Sequence, residues 1–328
     1  MEKAENKRLY YLDMIKIISA FMITFYHTAY YRLDYGFVEG SMYIPNINRV
    51  LISLCAMSVP LFFMVSGALM LNKRRTIKYM AYKVFKIILL IAVWYITGFP
   101  MWFFRTLILL YVLTPLLKWL FDKHRRIIYI IMAAIFIMPF VYNYAVTAIK
   151  LCGISASFAV AGRSIELGSL GRTGLFTVYS VLYYLLGAIL INSRTWHRGI
   201  SILLIAAGWA MVVAEVTILT NIEGVMFDGV NASFPTIGAL LMAAGAFELL
   251  KSFSYKGAAV RFTEFVSPYV LSIYVMHIII IKGLTDVMHI NNMPFIAAVA
   301  LAVAVDMIAV AAGWVINKIP YVREVIRI

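Results

Sequence analysis

The chain has 328 residues, of which 63% are hydrophobic and only 13% charged, and its mean hydropathy is +0.90. A soluble domain needs about 25% charged residues, so the composition excludes one and indicates a protein that crosses a membrane several times. The formal charge of +14 is explained below by topology, and no nucleic-acid partner is needed to account for it.

At about 20 residues per crossing, apolar segments fall near 9–31, 47–71, 84–99, 101–121 and 127–146 in the first half. In the second half they fall near 174–192, 200–219, 234–250, 268–285 and 295–317. The expected fold is therefore an all-α polytopic transmembrane helix bundle of about ten spans. Lys and Arg are retained on the cytoplasmic side. Placing both termini there puts 21 of the 29 basic residues on that face, whereas the opposite orientation translocates all of them. Such a face also attracts anionic membrane lipids. With no linker and no internal repeat, residues 1–328 read as a single domain with no appended soluble domain, and no cleaved signal is expected.

The first segment, LDMIKIISAFMITFYH, carries Asp13, Lys16 and His27. An ionisable group at membrane depth costs about 2.5–3.5 kcal/mol, so it usually faces a protein interior or a reaction pathway. Eleven residues make nearly three helical turns, which sets Lys16 and His27 on one face about 16 Å apart. Lys16 lies near the cytoplasmic end, where it can snorkel or simply pair with Asp13 one turn away. His27 lies deeper. A neutral imidazole, titrating near pH 6.5 in water, is suited to accept a proton from an alcohol, although an interhelical hydrogen bond is the plainer role.

The second segment ends in SVPLFFMVSGALML, where Ser66 and Gly67 permit close approach of a helix or a ligand. Next comes NKRRTIKYMAYKVFK, whose basic residues, Arg74, Arg75 and Lys78 among them, alternate with Tyr79, Met80, Tyr82 and Phe85. That pattern fits an amphipathic helix at the interface. It serves either as positive-inside retention or as a seat for phosphates. Only about 35 residues then cross and return before DKHRR, so TGFP at 97–100 is read as a tight turn between two short spans, with a re-entrant hairpin as the alternative.

In MWFFRTLILLYVLTPLL, Tyr111 and Pro115 are four residues apart on one helical face, and Pro115 frees a carbonyl in the preceding turn. Arg105 must reach the interface or face the interior. The 143–173 segment, with Arg163, Glu166 and Arg172, gives polarity but no sugar code. Later, SPYVLSIYVMHIIIIKGL brings Tyr274 and His277 to one side of a helix. Asp306 at mid-span in the last segment needs a partner that the sequence does not identify. Cys55 and Cys152 have no metal or redox spacing, and no metal site is expected.

Taken together these segments resemble the acyltransferase-3 family of integral membrane acyltransferases, bacterial enzymes that O-acylate cell-surface glycans. The likeness rests on Leu12, Asp13, Lys16 and His27, then Pro60, Leu61, Phe62, Phe63, Ser66 and Gly67. It continues through Trp102, Phe103, Tyr111 and Pro115, then Leu185, Leu186 and Gly187, and finally Ile273, Tyr274 and His277. Where family members carry Arg at the first basic position, this chain has Lys16, and Pro100 and Met101 replace a common His-Leu pair.

The resemblance implies a multi-pass protein of the inner (plasma) membrane that takes an acyl group, usually acetyl, from acetyl-CoA on the cytoplasmic side. The group passes to a hydroxyl of a cell-envelope glycan or lipid-linked sugar outside. On that reading His27 is the general base, with Lys16 and His277 beside it in catalysis. Arg74, Arg75, Lys78, Ser66 and Gly67 bind the coenzyme, and Asp13, Tyr111, Pro115 and Tyr274 shape the path. The competing reading is a transporter or flippase of a lipid-linked sugar with Lys16, His27, His277 and Asp306 as a proton relay. The absence of a visible repeat speaks against it.

Overall fold

The structure is a computed structural model that describes residues 8–30, 32–73, 75–95, 101–153, 157–160, 163–166, 178–288 and 293–320. The chain opens with α1, Tyr10–Ala29. The second apolar segment starts as α2, Ile47–Ile52, tightens into a 3₁₀ turn at Ser53–Met57 and continues as α3, Ser58–Leu71. Next come α4, Ile77–Trp94, and α5, Trp102–Lys123. A further long helix follows in two pieces, α6, Arg125–Ile135, and α7, Tyr142–Leu151, joined by a π turn at Phe136–Val141. Pro139 lies inside that turn; lacking an N–H, it cannot continue the regular ladder, and a local widening is the usual response.

A short antiparallel hairpin, β1 Ser157–Val160 with β2 Arg163–Glu166, pairs Ser157 with Glu166 and Val160 with Arg163. It is a small departure from the all-helical expectation, within the segment that the sequence leaves as polar and uncoded. The second half contains α8, Val178–Leu190, α9, Arg198–Glu223, and α10, Ile237–Lys251. After them come α11, Ala258–Val266, a 3₁₀ turn at Ser267–Tyr269, α12, Val270–Met288, and α13, Phe295–Ile316.

Each expected apolar segment thus contains a helix. Among the described residues, six helices are long and apolar enough to cross a membrane: Ile47–Leu71, Trp102–Lys123, Arg125–Leu151, Arg198–Glu223, Ala258–Asp286 and Phe295–Ile316. The helix at Val178–Leu190 is apolar but short. Two boundaries also move. The basic stretch read as an interface helix is the first part of α4 itself, capped by Thr76, whose side chain accepts from the Tyr79 backbone N–H. The TGFP turn lies outside the described residues.

The core is held by backbone approach as much as by side chains. A Cβ on Gly67 would lie 1.8 Å from the Tyr184 carbonyl oxygen, and one on Gly187 would lie 1.9 Å from that of Met64. These two glycines face each other's helices and let α3 and α8 touch along their backbones, the arrangement small residues provide where lipid supplies no hydrophobic driving force. Gly208 and Gly238 do the same for α9 and α10. Gly67 therefore serves helix packing.

Polar links fix the remaining helices. Asp13 on α1 accepts from Ser267 Oγ at 2.8 Å across 254 residues, and Arg32 Nη2 donates to Thr285 Oγ1 at 2.9 Å. The two contacts hold α1 and α12 side by side and parallel, which brings the first and penultimate apolar segments together.

Candidate active site

One end of the bundle holds a cavity of about 1040 Å³. Its mouth is basic: Arg8, Lys16, Lys73, Arg75 and Lys83 all line it. Among the described lining residues the carboxylate is Asp13, which pairs with two of them. Asp13 takes Lys16 Nζ at 2.6 Å on one oxygen and Arg8 Nε at 2.6 Å on the other. Lys16 is thus both the partner of Asp13 and a wall of the cavity. The guanidinium of Arg75 lies 4.6 Å above the Tyr79 ring, and Lys83 Nζ lies 5.6 Å from the same ring. Five cations in the described lining beside the carboxylate of Asp13 make a basic mouth suited to a polyanion such as a chain of phosphates.

The expected coenzyme ligands divide accordingly. Arg75 and Ser66 line the cavity, and Tyr111 lies against Ser66. Lys78 is exposed and does not line it, while Lys83 takes its place. The reason is register: Tyr79 and Lys83 are one turn apart on a single face of α4, whereas Lys78 points about 100° away from Tyr79. Arg74 lies outside the described residues. Tyr111 and Pro115, expected on one face, part company, for Tyr111 is buried at the cavity and Pro115 is exposed. Arg105 is exposed in the first turn of α5, the interfacial option.

Away from the mouth the lining becomes aromatic. Phe62, Phe103 and Tyr274 form a closed triangle, with ring centroids 5.8, 5.0 and 6.3 Å apart, and Phe104 packs on Tyr274 at 5.1 Å. Past this triangle stand the two histidines. The His277 ring lies 5.9 Å from Tyr274 and 5.2 Å from His27. His277 is fully buried, and its Nδ1 faces the carbonyl oxygens of Tyr274 at 2.7 Å and Ile273 at 3.1 Å. A carbonyl only accepts, so Nδ1 carries the proton and Nε2 keeps its lone pair. His27 keeps some exposure.

A third polar group supports His27 from the other side. Tyr26, whose ring is 5.0 Å from that of His27, donates from its hydroxyl to Asp228 Oδ2 at 2.8 Å. Asn231 Nδ2 donates to both at 3.0 and 2.9 Å. Close by, Arg49 is 1% exposed; its guanidinium donates to the Phe227 carbonyl and lies 5.5 Å from the Tyr35 ring. Sequence reasoning passed over Asp228, Asn231 and Arg49. Arg49 had a visible signal, a charge near the start of the second apolar segment, while Asp228 had none because its partner is 202 residues away.

Asp306 faces elsewhere. It lies in an apolar groove of about 870 Å³ bounded by Met14, Phe21, Ile273 and Trp314, with Thr24 as its polar neighbour. Among the described residues, no three His, Cys, Asp or Glu side chains gather as a metal site would require.

A family model described as an acyltransferase domain matches residues 9–100 and 97–316, nearly the whole chain. Comparison with curated proteins and with solved structures found no match.

Proposed function

The chain belongs to the acyltransferase-3 family, and from that premise we propose that it is a membrane O-acyltransferase that moves an acetyl group from acetyl-CoA to a hydroxyl of a cell-envelope glycan or lipid-linked sugar. The basic mouth faces the cytoplasm, both termini lie on that side, and the chain resides in the inner membrane. The observation that carries the reading is the order of groups: cations at the mouth of the cavity, aromatic rings at its inner end, and the histidine pair against those rings.

In this mechanism Arg75, Lys83 and Lys73 hold the coenzyme's phosphates, and the pantetheine arm runs inward past Ser66 and Tyr111. His27 takes the proton of the acceptor hydroxyl as its oxygen attacks the thioester carbonyl. The C–O bond forms, the C–S bond breaks, and the departing thiolate receives the proton that His27 took, so the base ends neutral as the coenzyme leaves as its thiol. His277 positions the base. With its own Nδ1 proton committed to backbone carbonyls, its Nε2 keeps a lone pair that can accept from an N–H of His27 during the reaction and so set the tautomer of the base.

The test is transfer of radiolabel from acetyl-CoA into envelope glycan by membranes holding the protein, compared with His27→Ala at equal expression. Loss of transfer in the variant is expected. Equal transfer would remove His27 as the base, and absence of transfer by the unaltered protein to every glycan tried would count against the reaction itself.

A further inference from the structure

The cavity lining is ordered along each helix in a way that none of the motifs required. On α3 the lining residue farthest from the basic mouth is Phe62, on α5 it is Phe103 and on α12 it is Tyr274. On α1 it is Lys16. On α4 it is Lys83, so three of the five helices that line the cavity end their share in an aromatic ring, and the three rings meet, with all centroids within 6.3 Å of one another. At those separations ring edges are in van der Waals contact. Behind the triangle, His277 is fully buried and Phe25 and Tyr26 are nearly so.

We propose that Phe62, Phe103 and Tyr274 form a collar that restricts the donor to short acyl thioesters. The inference rests on the acyl-CoA reading above. In a thioester the alkyl part extends beyond the carbonyl, away from the coenzyme. The carbonyl therefore reaches His27 only after the whole alkyl part has passed the collar and found room behind it. An acetyl group needs one ring to turn and little space. Each further methylene must fit among side chains already packed at the density of a protein interior. Selection is thus by length, set by side chains that touch the acyl group and not the nucleotide.

The experiment is competition binding in lipid nanodiscs, with radiolabelled CoA displaced by acetyl-, butyryl- and octanoyl-CoA. It is run on the unaltered protein, on Phe103→Ala, and on Phe62→Leu and Phe103→Leu, which keep an apolar side chain if alanine impairs folding. The unaltered protein should bind CoA and acetyl-CoA within threefold of each other and octanoyl-CoA at least tenfold more weakly. At least one collar variant should bring octanoyl-CoA within threefold of acetyl-CoA while its affinity for CoA is unchanged. Octanoyl-CoA bound as well as acetyl-CoA by the unaltered protein overturns the collar and leaves the donor intact. A length penalty that persists in every CoA-binding variant overturns the assignment to these residues. No CoA binding by the unaltered protein overturns the donor reading and the collar with it.

Discussion

The two ends of α1 hold their polar groups by different means. At the Lys16 end, charge answers charge in excess: Asp13 is served by Arg8, Lys16 and the Ser267 hydroxyl together. At the His27 end the contacts are directional and do not pair ion with ion: a ring lies against a ring, an imidazole proton on carbonyl oxygens, and the Tyr26 hydroxyl on Asp228. Redundant, partly wet ion pairs are individually weak and replaceable. Single, buried, directional contacts are not, because a lost partner leaves a polar atom without an alternative. On the acyl-transfer reading one helix thus offers a tolerant binding end and an intolerant chemical end.

Substitution can break that contrast or sharpen it. The largest effect is expected from His27→Gln, a fall in kcat for acetyl transfer of about 10²–10⁴-fold, the range for loss of a positioned general base. Affinity for CoA should stay within about twofold by the same logic of separate ends; a large loss of CoA binding in this variant would merge the two regions. His277 comes next. His277→Ala should lower kcat by about tenfold or more without raising KM, whereas His277→Gln, which returns an acceptor near the Nε2 position, should recover part of the loss. Equal activity of the two variants would make His277 a packing residue only.

Effects at the charged end should be smaller and of another kind. Arg75→Ala should raise KM for acetyl-CoA by about tenfold, as expected for a lost charge-assisted hydrogen bond, with kcat little changed. The increase should shrink as ionic strength rises. The smallest effect is expected from Asp13→Asn. It removes both ion pairs yet should change stability by about 1 kcal/mol or less, since Arg8 and Lys16 remain partly exposed and solvated; thermal unfolding in detergent measures it. A collapse of the fold in this variant would show that the α1–α12 contact through Ser267 carries more than the ion pairs do.

Much of this contrast is legible in the amino-acid sequence, and the rest fails for identifiable reasons. Costly groups in an apolar segment mark themselves, so Lys16, His27 and His277 stand out. The helices are legible because hydropathy alone indicates them. What a single helix cannot reveal is which neighbour fills its faces. Gly67 reads equally as a seat for a ligand or for a helix, and only the Tyr184 carbonyl decides it. Tyr111 and Pro115 look paired by spacing, yet the face between them turns from the cavity to the exterior. Lys78 and Lys83 are equivalent as charges and differ only in the register of α4, which depends on where Thr76 caps it. Asp228 reaches Tyr26 through a loop contact that no local pattern announces. Six of the helices in the described residues are long and apolar enough to span by themselves, and α1 is set apart from them by its own Asp13 and Lys16.

The paired glycines of α3 and α8 have a mechanical consequence. Where two helices meet through main-chain atoms, no side chain between them is free to repack, so the pair behaves as one rigid beam. Phe62 is mounted on that beam. Any widening at its level must come from the helices facing it, α5 with Phe103 and α12 with Tyr274. The same α12 also carries His277, so on the acyl-transfer reading, opening the donor's way in and aligning the base are movements of a single lever.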